Sequence, residues 1–146
     1  ILPLSLKSSN YLRILYLTIM FSSFNEDFLH YIWKFQKYDH TKLQTVKGEK
    51  ISIIHPGYHN DDAGPDFLNA RIKIHNNLWA GNIEIHIKAS EWYTHKHQEN
   101  KSYDSVVLHV VLEEDKPVFR NNGERIPCLE LKKRIPLKTS RKRWTW

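Results

Sequence analysis

The sequence predicts an α/β (α+β) domain: a mixed sheet built in the order helix-strand-strand-strand-helix-strand. Three observations carry this. Phe28, Leu29, Ile32, Trp33 and Phe35 recur at helical spacing. Two runs with alternating apolar residues flank Asn76-Asn77, the pattern of a hairpin whose strands each bury one face. The segment Val106-Val107-Leu108-His109-Val110-Val111-Leu112 is apolar on both faces, which places it at the centre of a sheet.

Each element has a local cause. Asn25 is suited to cap the first helix, and Glu26 and Asp27 in its first turn suit the positive end of the helix dipole. A strand over 50–55 is closed by Pro56-Gly57, and a polar loop over 58–64 leads to Pro65-Asp66. A strand over 67–75 turns at Asn76-Asn77, where positive φ is tolerated, and returns over 78–88. Ser90, with Glu91 behind it, is positioned to cap a short helix that ends near Asn100. After the central strand over 105–113, residues 117–131 read as a weak strand, an Asn121-Asn122-Gly123 turn and a last short strand.

The 146 residues make one domain with one sizeable core. The formal charge of +6 is local: Lys132, Lys133, Arg134, Lys138, Arg141, Lys142 and Arg143 supply seven positives without an acid among them, leaving the rest at −1. Net charge therefore gives no argument that the folded body binds nucleic acid. A lone cysteine, Cys128, excludes a disulfide framework and a cysteine-based zinc site, and fits a reducing, cytoplasmic setting. The apolar start is broken by Lys7 and Arg13, so its longest stretch is too short to span a bilayer, and no membrane partner is expected. Met20 is the sole methionine; residues 1–19 are expected to be a non-native or disordered leader, residues 20–131 the single domain, and residues 132–146 a basic tail or truncation point.

Glu84, His86 and Lys88 share one face of their strand, while Ile83, Ile85 and Ile87 share the other. An acid, an imidazole and an amine in line, beside a second acid at Asp66, are the residue types that hold a divalent cation and position a water for attack on a phosphodiester. Competing structural roles are an Asx turn for Asp66 and a cross-strand salt bridge from Glu84 to Arg71 or Lys73.

Pro65-Asp66 at the start of one strand and Glu84 on the next resemble the signature of the restriction-endonuclease-like, or PD-(D/E)xK, superfamily. The resemblance implies a metal-dependent nuclease with Mg²⁺ or Mn²⁺ as cofactor. Asp66 and Glu84 would be the metal ligands, the Ile85 carbonyl a third donor, and nucleic acid the partner. His86 stands where that signature has lysine, with Lys88 two residues on, so His86 and Lys88 are the candidate water-activating or charge-stabilising pair. Closer literal strings, at 25–33, 62–67, 79–86 and 92–97, are similar to an uncharacterised bacterial family, common in Bacteroidetes, whose longer members imply that further chain belongs to this protein.

Two alternatives compete with the nuclease. His86, His95, His97 and His109 lie on elements that would enclose one cleft, which suits a His/carboxylate transition-metal hydrolase. On a continuous helix, however, His95 and His97 would face roughly opposite ways, and His109 reads as a core histidine. The other alternative is a non-catalytic nucleic-acid-binding module on a degenerate nuclease fold, using Trp92, Tyr93, Lys96 and His97 as a stacking surface extended by Trp33 and Trp79.

Overall fold

The computed structural model describes residues 25–135. The leader over 1–19, Met20 and the tail from residue 136 lie outside the described residues. Among the described residues the fold is a mixed α+β arrangement of one helix of two and a half turns, a six-stranded sheet and a few single-turn helices.

Helix α1 (Glu26–Lys34) begins where the Asn25 side chain accepts a hydrogen bond from Phe28 N at 2.9 Å. Its buried stripe is Leu29, Ile32 and Trp33. Trp33 is fixed at its polar end as well, because Nε1 donates to the Pro56 carbonyl at 2.9 Å. The strands are β1 (Ile51–His55), β2 (Tyr58–His59), β3 (Phe67–Ile74), β4 (Asn77–Lys88), β5 (Val106–Glu113) and β6 (Cys128–Glu130). Their order across the sheet is β1-β3-β4-β5-β6, with β2 paired to β3 off that path. β1, β2 and β4 run antiparallel to β3, whereas β4-β5 and β5-β6 are parallel.

The hairpin of β3 and β4 turns at His75-Asn76 and not at Asn76-Asn77: Ile74 pairs with Asn77, and His75 takes the positive φ of 53°. Its amide donates to the Lys50 carbonyl, tying the turn to β1. The predicted helix from Ser90 breaks into α2 (Glu91–Thr94) and two 3-10 turns at His97–Glu99 and Lys101–Tyr103. Ser90 makes no side-chain cap; its own amide is held by Asp115 Oδ1. Packing also continues past Leu131, since Arg134 donates to the carbonyls of Asp39, Thr41 and Lys42, and Ile135 is buried.

One sheet face is apolar. Ile83, Ile85, Leu108 and Val110 meet the α1 stripe there. The opposite face of the same two strands presents Glu84, His86 and His109, and is closed by Trp92, Tyr103, Val106, Val111 and Ile126. Both faces of β4 are thus covered between residues 83 and 86, so Glu84 and His86 of the polar line lie in the interior while Lys88 is exposed. No helix among the described residues is long and apolar enough to cross a membrane.

Candidate metal centre

The site forms where β3 leaves β4. Paired residues end at Phe67 and Ile83, so β4 from Glu84 onward keeps β5 on one side and no β3 partner on the other. Asp66 satisfies that free edge: its Oδ2 accepts from Ile85 N at 2.8 Å, and its own amide donates to Glu84 Oε1 at 3.2 Å. The loop before it is turned by Asn60, whose Nδ2 donates to the carbonyls of Ala63 and Pro65. Asn60 therefore does the turn chemistry that the sequence offered as Asp66's competing role, and the Asp66 carboxylate is left for β4. Glu84 makes no bridge to Arg71 or Lys73; Arg71 pairs across the strands with Ala80.

Two sets of donors meet at this acid pair. On the α1 side, Glu26 and His30 are one helical turn apart, and His30 Nε2 lies 3.5 Å from Asp66 Oδ2 and 3.7 Å from Glu26 Oε1. Glu26, His30 and Asp66 each offer a ligand atom within 4.8 Å of the others. On the far side, Glu84 Oε2 is 2.6 Å from His97 Nε2 and 3.8 Å from His86 Nε2. His86, His95 and His97 form a second set within 4.8 Å of one another. His86 also faces His95 Nδ1 at 3.3 Å and, through its other nitrogen, His109 Nε2 at 2.7 Å.

Burial sets the protonation states. Burial and then the neighbouring Asp66 push the Glu84 carboxyl up to about 10, so it carries a proton at neutral pH. Burial also works to raise Asp66, but the contacts with His30 and Glu84 and the Ile85 amide outweigh it and hold Asp66 below the usual carboxylate value. For His30 burial acts downward, and the contact with Asp66 and the charge of Glu26 reverse it to a raised pKa. Burial and the other imidazoles push His86 down to about 2, His97 to about 4 and His109 to about 3, so all three are neutral rings with a free lone pair.

A family model described as "Protein of unknown function (DUF2851)" matches residues 26–144. The chain belongs to this family. No curated protein and no solved structure matches it.

Within this DUF2851 domain the residues singled out from sequence fall into three groups. Asp66, Glu84 and His86 come together, with Glu84 3 % and His86 1 % exposed. Lys88 does not join them: it is exposed, its amide is held by Glu91 Oε2, and its charge acts on Asp115. Trp92, expected on a stacking surface, is 2 % exposed and packs edge-on to His97, Tyr103 and His109, so neither ring face is open to a base. Trp33 is likewise fully buried, while Trp79 is exposed on the hairpin. Tyr93 is half-buried, its hydroxyl accepting from Phe119 N with Lys116 over its ring; Lys96 is exposed, and His97 belongs to the buried histidine cluster instead. Sequence reasoning missed Glu26 and His30. The signal was present, because an acid and an imidazole four residues apart share one helix face.

Proposed function

We propose that this domain is a metal-dependent phosphodiesterase acting on nucleic acid, built on a restriction-endonuclease-like core. The observation that carries the reading is the convergence of Asp66 and Glu84 at the fork of β3 and β4, with the Ile85 amide between them. A strand that is antiparallel to its neighbours, followed by parallel strands beyond β4, supports the same core.

The donor set fits a divalent cation, since a buried carboxyl, Glu84, and a half-buried one, Asp66, adjoin at the fork and offer it oxygens. Asp66 and Glu84 would hold it, with Glu26 and His30 completing the set from α1. An imidazole among the donors favours Mn²⁺ over Mg²⁺. When bound, such an ion supplies charge to a phosphoryl oxygen and acidifies an attacking water. Asp66 keeps its carboxylate ionised and aimed by the Ile85 amide, and His30 Nε2, 3.5 Å from Asp66 Oδ2, would be the nitrogen donor of the set. Lys88 drops out of the catalytic pair on its exposure, and His86 faces the other side of Glu84.

The test is manganese-dependent cleavage of single- and double-stranded DNA and RNA, together with calorimetric titration of Mn²⁺. Asp66→Asn is expected to abolish cleavage and to lower Mn²⁺ affinity at least about tenfold. Wild-type protein that binds neither Mn²⁺ nor Mg²⁺, or an Asp66→Asn variant with full cleavage, ends this reading.

A further inference from the structure

The histidines beyond Glu84 are not needed by the cation between Asp66 and Glu84, yet they are arranged around a point of their own. We propose that His86 Nε2, His95 Nδ1 and His97 Nε2, with Glu84 Oε2 as fourth donor, form a second metal site that takes a transition-metal ion of the zinc class. The site goes beyond the phosphodiesterase reading and shares only Glu84 with it.

Distances come first. Bonds of about 2.0–2.1 Å in a tetrahedron put neighbouring donors about 3.3 Å apart. His86 Nε2 and His95 Nδ1 are 3.3 Å apart, the three imidazoles offer ligand atoms within 4.8 Å of one another, and Glu84 Oε2 lies 3.8 Å from His86 Nε2 and 2.6 Å from His97 Nε2, so His97 and Glu84 would move apart by several tenths of an ångström to share an ion. Three imidazoles and one carboxylate are a donor set that suits Zn²⁺ or Co²⁺ better than a hard cation.

The surrounding contacts aim these donors. His109 faces Glu84 across the parallel β4-β5 register, is fully buried, and meets His86 Nδ1 at 2.7 Å. With His86 donating through Nδ1, its Nε2 is left as a lone pair pointing at the cluster, the arrangement that outer partners impose on metal-binding imidazoles. His97 is held by stacking on Tyr103, with centroids 3.8 Å apart and an 18° tilt.

Hydrogen bonding among the rings accounts for only part of this. A proton from His95 Nδ1 could satisfy His86 Nε2, but His97 Nε2 and His109 Nδ1 are buried and make no directed hydrogen bond among the described residues. His97 Nε2 is the more telling, because its side chain is 9 % exposed and it sits against Glu84 Oε2 without hydrogen-bond geometry. A cation between them would use both lone pairs.

The experiment uses the whole chain, stripped with chelator, titrated with Zn²⁺ by calorimetry and with Co²⁺ by visible absorption. Expected results are saturable Zn²⁺ binding that raises Tm, and intense cobalt bands of tetrahedral coordination. His95 is exposed, so His95→Ala spares the core; it is expected to lower zinc affinity by about tenfold to a hundredfold and to change the cobalt spectrum. His75→Ala, at an exposed histidine outside the cluster, is expected to change neither. Absence of saturable zinc binding, an unaltered His95→Ala variant, or an equal loss in His75→Ala overturns the site. The zinc readout needs no substrate, so a protein that binds zinc through His95 but cleaves no nucleic acid refutes the phosphodiesterase alone.

Discussion

Whether His95 and His97 meet depends on the single residue between them. Lys96 has φ 56° and ψ 35°, the left-handed region that costs a side-chain-bearing residue about 1 kcal/mol. Had α2 continued, two residues apart would mean nearly opposite faces; the reversal at Lys96 stops the helix and brings both rings to His86. Lys96→Gly removes the penalty and should leave stability equal or higher and zinc affinity unchanged. Lys96→Val, with a β-branched side chain at positive φ, should lower stability by about 1–2 kcal/mol in urea unfolding and weaken zinc binding. Equal behaviour of the two variants would detach the turn from the site. Composition hides such a turn, because lysine is a good helix former and carries no left-handed signal, and so the helical reading of His95 and His97 was reasonable and wrong. Asp66 and Glu84 were legible for the opposite reason. Strand alternation and a Pro-Asp strand start are local patterns, and the close contact between the two follows once their strands pair.

At the level of elements, the approach of β4 to β5 positions Glu84 over His109, and Gly81 allows it. A Cβ there would lie inside contact distance of both Val107 Cγ1 and the Ser105 carbonyl. The register of β4 against β5 shifts between Asn82 and Ile83, directly after that close passage. Gly81→Ala is therefore expected to cost about 2 kcal/mol by overpacking, and to disturb the Glu84-His109 face as well. Gly48→Ala makes the comparison: its Cβ would meet nothing within 4 Å, so it carries only the strain of a φ of 84°, about 1 kcal/mol. A smaller loss at Gly81 than at Gly48 in thermal or urea unfolding would contradict the packing argument. The doubly apolar run that became β5 announced its central place, since only a strand covered on both faces tolerates it. The close passage at Gly81 was invisible in sequence because a glycine in a strand does not say which neighbouring backbone it admits. The residues that closed the site from α1, Glu26 and His30, were hidden likewise: helix periodicity gives a face but not the strand edge it meets.

For the whole molecule, the buried polar cluster makes stability depend on pH from two directions. His86, His97 and His109 have folded pKa values of about 2, 4 and 3 against an ordinary 6.5. The unfolded chain binds more protons than the fold below pH 6.5, so these three contribute stability that is complete above 6.5 and is lost as pH falls through the folded values. Glu84 acts oppositely. Its folded pKa of about 10 against an ordinary 4.5 means that the fold holds the extra proton, and its contribution is complete below 4.5 and lost as pH rises toward 10. His30, also raised, adds to the loss on the alkaline side. Between pH 4.5 and 6.5 three imidazoles outweigh one carboxyl; above 6.5 the imidazoles have no further effect and Glu84 and His30 dominate. With chelator present, Tm is therefore expected to peak near pH 6.5 and to decline on both sides. Zn²⁺ bound at the histidine cluster changes both arms of that curve. It replaces the Glu84 proton and stabilises the ionised carboxylate, so the alkaline decline should flatten while the acid decline steepens as protons displace the ion from imidazole. Thermal scans from pH 4 to 9 with chelator and with Zn²⁺ measure this, and parallel curves in the two conditions would show that the buried carboxyl and the metal do not share an oxygen.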